Sequence, residues 1–313
     1  MKDLLVDCDP GHDDAMALLL ALASDRVALE AVTTVAGNQT IEKTTRNACR
    51  VLTLADRTDV PVARGMGAPL VRDQVTAGWV HGESGLDGAD LPEPETEPIE
   101  RHAVETIAQT AAESGALHIA PVGPLTNVAV ALRKHPDIVE DIERIVLMGG
   151  TTEDGNVTPA AEFNIFADPE AAKVVFEADV DVTMVGLNVT REARLDRDHV
   201  ARIRELDAAV TTVVADLLTY FLDVYEASFE WDGVPIHDAC AVAEIVEPGV
   251  LDTEYTFTTV ETKGESTYGR TVADVRGVSD DWPNVEAPNA NVAVDIDRDR
   301  FVEMLLDAFE TYR

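Results

Sequence analysis

The chain predicts an α/β fold, an open and mostly parallel doubly wound sheet with helices on both faces, plus extra C-terminal helices and a small antiparallel element. Two observations carry this. Strand-like apolar runs alternate with helical ones along most of the sequence. The strand runs are continuously apolar, without the two-residue alternation of a half-exposed sheet, which argues burial on both faces. With 313 residues, 46% of them hydrophobic, a large core is within reach.

Taken in order, Leu4 to Cys8 predicts a strand, Asp13 to Ala23 a helix and Leu29 to Val35 a strand. Ile41 to Ala55 reads as a helix and Val60 to Ala63 as a short strand. The Pro- and Glu-rich stretch from Pro92 to Pro98 is a solvated loop, followed by a helix over Ile99 to Ser114. Leu117 to Val122 is a strand, Leu125 to Arg133 a helix, Arg144 to Met148 a strand, Pro169 to Ala178 a helix and Val180 to Leu187 a strand. Residues 197 to 228 and 237 to 246 read as helical. Tyr255 to Val260 and Ser266 to Val275 predict an antiparallel hairpin or sheet edge, Val292 to Ile296 a last strand and Phe301 to Phe309 a closing helix. No repeat or boundary divides the chain, so residues 1–313 are expected to form one domain.

The charge balance narrows the function. Fifty-nine Asp and Glu stand against 24 Lys and Arg, for a net charge of −35. Such a surface repels nucleic-acid phosphates and anionic membranes. Only Lys2, Lys43, Lys134, Lys173 and Lys263 are lysines, and an acidic, Lys-poor surface points to adaptation to high salt, where self-repulsion is screened. The N-terminus does not read as a signal peptide, and no apolar run is long enough for a membrane span. Cys8, Cys49 and Cys240 lack CxxC spacing, so a reducing cytoplasm is the simple expectation.

Most of so many carboxylates must be solvated, and only setting singles any of them out. The loop after the first strand supplies that setting: Asp7-Cys8-Asp9-Pro10-Gly11-His12-Asp13-Asp14-Ala15. Four carboxylates fall between a buried strand and a buried helix, at the strand edge where doubly wound sheets bind ligands. Helix capping accounts for one or two of them. Asp7 and Asp9 point to the same side and repel unless a cation lies nearby, and Ca²⁺ suits oxygen donors.

Other segments fall into a recognisable order. Val35-Ala36-Gly37-Asn38 follows the second strand, then come His81 to Leu86 in the pattern HGxxGL and Pro121 to Asn127 in the pattern PxGPLTN. Met148-Gly149-Gly150 leads to Gly155-Asn156 and to Ala161-Glu162-Phe163-Asn164, and His237-Asp238-Ala239 completes the set. This series resembles the inosine–uridine-preferring nucleoside hydrolases, and with Pro288 to Ala293 the resemblance covers essentially the whole chain.

That resemblance implies a Ca²⁺-dependent hydrolysis of the bond between ribose and base. It places Asp9 as general base and metal ligand, with Asp14, Asp238 and the backbone carbonyl of Thr126 as further ligands and an attacking water held by the ion. Asp13 and Asn38 would bond the ribose hydroxyls, and Asn156, Glu162 and Asn164 the remaining ones, including the 5′-hydroxyl. Met148 falls in the same binding set. His237, a residue type of near-neutral pKa, would protonate the leaving base, with His81 also near it. Tyr225 and Phe221 either close over the base or form an ordinary core stripe of the helix. His12, His102, His118, His135 and His199 read as surface or helix-end residues. Two positions depart from the family pattern: Ser84 replaces a frequent acidic or amide residue, and Phe221 stands where some members have Tyr. Relatives are commonly dimers or tetramers, so a homodimer or homotetramer is expected, with a small ribonucleoside as the partner molecule. Two other classes compete: a calcium-dependent nucleoside- or ribose-binding protein without turnover, and a D-x-D Mg²⁺ phosphohydrolase. The second usually has Thr or Val where this chain has Gly11.

Overall fold

The computed structural model describes residues 1–229, 231–278 and 282–313. In chain order the elements are β1 (Lys2–Cys8), α1 (His12–Ala23), β2 (Val27–Thr34), α2 (Ile41–Leu54), β3 (Val62–Arg64), α3 (Gly78–His81), α4 (Ala103–Ser114), β4 (Leu117–Pro121) and α5 (Thr126–Lys134). A 3₁₀ turn at Pro136–Asp141 leads to β5 (Ile142–Met148), α6 (Phe163–Ala167), α7 (Pro169–Phe176), β6 (Val182–Val185) and α8 (Leu187–Thr190). Then follow β7 (Arg194–Leu195), α9 (Arg197–Glu205), α10 (Ala209–Ser228), β8 (Val234–Pro235) and α11 (His237–Val246). The chain closes with β9 (Leu251–Thr256), β10 (Thr258–Val260), β11 (Thr271–Ala273), β12 (Ala290–Ile296) and α12 (Arg298–Glu310).

Eight strands form one sheet in the order β3-β2-β1-β4-β5-β6-β12-β9, parallel except for β9, which runs antiparallel to β12. The expected doubly wound architecture is observed. Alternation along β1 splits the core: Leu4, Val6 and Cys8 enter the apolar layer shared with α1 and α10 to α12, while Leu5 enters the layer shared with α4, α5 and α7. The order reverses direction between β1 and β4, so the loops after these two strands flank the crevice where such sheets bind ligands. Helix α11 packs on α1, which brings two helix N-termini to that crevice. Among the described residues no helix is long and apolar enough to cross a membrane.

The differences from the sequence reading have local causes. The helix expected from Ile99 begins at Ala103, because the His102 side chain caps it and Ile99 instead donates its N–H to Val62 O at 2.8 Å. The expected hairpin starting at Tyr255 divides in two. Tyr255 belongs to β9 in the main sheet, and only β10 pairs with β11. Asn289 makes the break: its amide accepts from Thr258 N at 2.7 Å and donates to Thr258 O at 2.9 Å, holding β10 away from the line of β9. The four- and five-residue helices α3, α6 and α8 are too short to show a helical period.

Candidate active site

The carboxylates of the first loop are all buried, at 0% exposure for Asp7, Asp9 and Asp14 and 6% for Asp13. Asp14, in the first turn of α1, accepts backbone N–H bonds from Asp9 at 3.0 Å and Gly11 at 2.8 Å, so it closes the loop on itself. Asp7 accepts from the Thr33 hydroxyl at 2.6 Å and the Asn127 amide at 2.7 Å, which ties β1 to β2 and to the first turn of α5. Asp9 Oδ2 accepts from Asn38 N at 2.5 Å, while its Oδ1 is buried with no hydrogen-bond partner. Two glycines make room for this carboxylate. A Cβ on Gly37 would lie 2.1 Å from Oδ2, and one on Gly123 would lie 2.4 Å from Oδ1.

Asp238, in the first turn of α11, faces the same point from the other helix. One oxygen each from Asp13, Asp14 and Asp238 lie within 4.8 Å of one another. Among the described residues no Lys or Arg forms an ion pair with any of them. Burial and the neighbouring Asp14 charge push Asp13 up to about 8 and Asp9 well above the usual carboxylate range. Burial and then the Asp13 charge raise Asp238 in the same way. Asp14 is raised by burial, against which the N–H bonds of Gly11 and Asp9 act. Packing these charges together is unfavourable without a cation, and the two converging helix N-termini offset only part of that repulsion.

The cluster borders a cavity of about 250 Å³. Asp13, Asn38 and Asp238 line it at the acidic end. Along its wall lie Met148, Asn156, Glu162 and Asn164. Glu162 caps α6, its carboxylate accepting from the N–H groups of Gly150, Asn164 and Ile165 at 2.9 to 3.1 Å, and is fixed in direction by them. The Asn164 amide donates to Val122 O at 2.8 Å and Met148 O at 3.2 Å, joining the ends of β4 and β5. At the other end His81, Phe221, Tyr225 and His237 line the cavity, with Trp79 and Phe229 at its mouth, 63% and 47% exposed. Tyr225 and Phe221 therefore face the cavity and pack together at 5.0 Å, edge to face.

Of the expected site residues, Asp9 and Asp14 lie behind the cavity wall and Thr126 is not brought to it. The Thr126 hydroxyl donates to Asp168 at 2.7 Å, and the residue opens α5, where its carbonyl points along the helix. The residue of that loop that lines the cavity is Val122. His237 also departs from expectation. Its Nδ1 meets the Thr190 hydroxyl at 2.7 Å and its Nε2 the Tyr225 hydroxyl at 3.5 Å, but burial, and then Arg191 and Arg194, hold its pKa down to about 3. It is a neutral ring at neutral pH.

His12 stands at a helix end, one of the two expected settings, since it leads α1. It is nevertheless fully buried, stacked on Tyr220 and Phe221 and bonded to His81. Nothing local in the sequence signals this, since His81 lies 69 residues away. Ser84, one of the two departures from the family pattern, hydrogen-bonds Asp87 within its own loop.

Mutually repelling buried carboxylates, polar side chains along a cavity wall and two histidines at its far end are the features expected from the resemblance noted in the sequence. The chain belongs to the inosine-uridine preferring nucleoside hydrolase family, whose sequence model matches residues 4–303. It is 46% identical over 314 residues to the pyrimidine-specific ribonucleoside hydrolase RihA of Shewanella woodyi, covering 99% of both chains. The protein of the same name from Shigella boydii is 47% identical over 312 residues, covering 99% of this chain and 98% of the relative. The solved structure of a purine-preferring ribonucleoside hydrolase from Gardnerella vaginalis superposes with a TM-score of 0.92 at 32% identity, covering 99% of this chain and 98% of that one. The chain is thus a ribonucleoside hydrolase, an N-glycosidase acting on nucleosides.

Proposed function

We propose that this enzyme hydrolyses pyrimidine ribonucleosides to ribose and free base, with Ca²⁺ as its cofactor. The observation that carries the reading is the meeting of three carboxylate oxygens within 4.8 Å at one end of a cavity lined by Asn38, Asn156, Glu162 and Asn164. That spacing suits a ligand distance of about 2.3–2.6 Å around Ca²⁺. An all-oxygen donor set argues against zinc, and the unpartnered buried Asp9 Oδ1 is a further donor beside it. When bound, the ion supplies acidity to the attacking water and anchorage to the ribose 2′- and 3′-hydroxyls.

Asp9, Asp14 and Asp238 hold the ion in this reading, with Asp13 at the ribose side of the same cluster. The backbone oxygen of Val122 replaces that of Thr126, since Val122 lines the cavity. Asp9 takes a proton from the water that attacks C1′, in the manner of carboxylates in glycoside hydrolysis. Asn38 bonds the ribose hydroxyls together with Asp13, and Asn156, Glu162 and Asn164 bond the rest. A deoxy analogue would leave these groups unpaired and be rejected. His237, neutral and backed by the Thr190 hydroxyl, offers an Nε2–H to the departing base beside Tyr225.

The pyrimidine preference rests on the two whole-chain relatives of 46% and 47% identity that bear that specificity in their names. Base release from uridine, cytidine, inosine and adenosine, assayed with Ca²⁺ in concentrated salt, tests it. Faster release from a pyrimidine is expected. Faster purine release overturns the preference, and no release from any of the four overturns the activity.

A further inference from the structure

Behind the base end of the cavity, His12 occupies a position the reaction above does not use. It leads α1, with its ring centroid 5.2 Å from that of Tyr220 and 5.1 Å from that of Phe221, nearly parallel to both. His12 Nε2 lies 2.8 Å from the carbonyl oxygen of Asp87. A carbonyl only accepts, so this nitrogen carries the proton, and in the neutral ring Nδ1 is left as a lone pair. His81 Nδ1 lies 3.1 Å from that lone pair and 3.2 Å from the backbone N–H of His12. That N–H stands in the first turn of a helix and has no intrahelical partner. One atom of His81 therefore faces an acceptor and a donor supplied by the same residue. The other nitrogen of His81, Nε2, has no protein partner among the described residues, and the ring lines the cavity.

We propose that His12 is a positioning residue that lets His81 present either hydrogen-bonding polarity to the substrate base. With its proton on Nδ1, His81 donates to the His12 ring and turns a bare Nε2 toward the cavity. With Nδ1 bare, it accepts from the His12 backbone and turns an Nε2–H toward the cavity. The two arrangements hold the same number of protons; one proton is exchanged between the nitrogens of a single ring through water in the cavity.

The substrate class follows from the chemistry of the bases. Uracil carries N3–H and a 4-carbonyl, whereas cytosine carries a bare N3 and a 4-amino group, so the two have opposite polarity along that edge. A fixed donor or a fixed acceptor suits one of them and leaves a buried group unpaired against the other. A histidine supported in both tautomers serves both, and the enzyme accordingly takes uridine and cytidine alike. This rests on the reading of the cavity as a pyrimidine nucleoside site.

His12→Phe tests it, because phenylalanine keeps a flat ring in the stack and keeps the backbone N–H while removing the Nδ1 lone pair. His81 is then supported only as the Nε2–H tautomer. The ratio of kcat/KM for uridine over cytidine should shift by about fivefold or more from wild type, the size expected when one substrate keeps its partner and the other loses it. A smaller shift, or an equal loss on both substrates, overturns the proposal. Ring ¹⁵N spectra of histidine-labelled wild-type protein, with His81 assigned by its loss in His81→Gln, give a reading that does not need the Phe variant to fold. Averaged shifts from two tautomers are expected, and a single tautomer overturns the proposal. Wild-type protein that cleaves only one pyrimidine nucleoside also overturns it and leaves the pyrimidine reading intact. Protein that cleaves neither overturns that reading instead, while the spectra still decide the tautomers.

Discussion

The two ends of the cavity are built differently. At the acidic end and along the adjoining wall backbone groups do much of the holding: Asp14 is held by two N–H groups, Glu162 by three, and the Asn164 amide by two carbonyls at strand ends. At the base end side chains are held chiefly by other side chains. Phe221, Tyr225, Phe229 and Trp231 form a run of ring contacts between 4.9 and 5.9 Å, and Trp79 and Phe229 stand open to solvent. Backbone bonds fix geometry to within a hydrogen-bond length, whereas stacked rings slide and exchange at little cost. On the proposed reading the invariant part of the substrate, ribose and its attacking water, meets the rigid end, and the variable part, the base, meets the adaptable one.

The largest expected effect lies at the rigid end. Asp9→Asn should fold and lose roughly 10²–10⁴-fold in kcat, because a general base and a ligand carboxylate are both weakened. Near wild-type turnover in a folded, calcium-loaded variant would place water activation elsewhere. Asn156→Ala should follow with a loss of about 10–100-fold in kcat/KM, equal on uridine and on p-nitrophenyl riboside, since both carry the same ribose. Unequal losses would remove Asn156 from the sugar. At the adaptable end the expectation reverses. His237→Ala should slow uridine by about 10²-fold or more while hardly touching the p-nitrophenyl substrate, whose leaving group needs no hydrogen-bond donor. Equal losses would make His237 a residue that shapes the site.

How much of this was readable from the sequence divides along the same line. The loop from Asp7 to Asp14 is contiguous, and four carboxylates between an apolar strand and an apolar helix declare themselves without a structure. Asn156, Glu162 and Asn164 were legible as segments in a familiar order, and the fold brings all three to the cavity. Thr126 shows the limit of such reasoning. A motif names a loop, but which carbonyl of the loop turns inward depends on where helix α5 begins. His12 shows a stricter limit. Its partners, His81, the Asp87 carbonyl and the rings of α10, are set by tertiary packing, and no spacing in the chain encodes their meeting. The lowered pKa of His237 is likewise a property of burial and not of its neighbours in sequence.

Two smaller effects concern stability. Asp13 is raised to about 8 from an ordinary value of 3.8, so in metal-free protein it keeps a proton that the unfolded chain has lost. Its contribution is complete below pH 3.8 and is lost as pH rises through about 8. The Tm of chelated protein should therefore fall across that window, and Ca²⁺ should flatten the fall by favouring the ionised cluster. A chelated Tm that rises steadily from pH 5 to 8 would contradict this. The smallest effect per charge is at the surface. We propose that the net charge of −35 adapts the protein to concentrated salt, so Tm should climb from low to molar KCl. A flat or falling Tm would leave the acidic surface without that role.

The claim on which the rest depends is that the buried carboxylates of α1 and α11 hold a calcium ion needed for turnover. Chelated, refolding-competent protein should release no base from uridine, and activity should return as Ca²⁺ is titrated back, saturating at about one ion per chain measured by atomic emission on the same samples. Full base release from protein carrying far less than one ion per chain would contradict it.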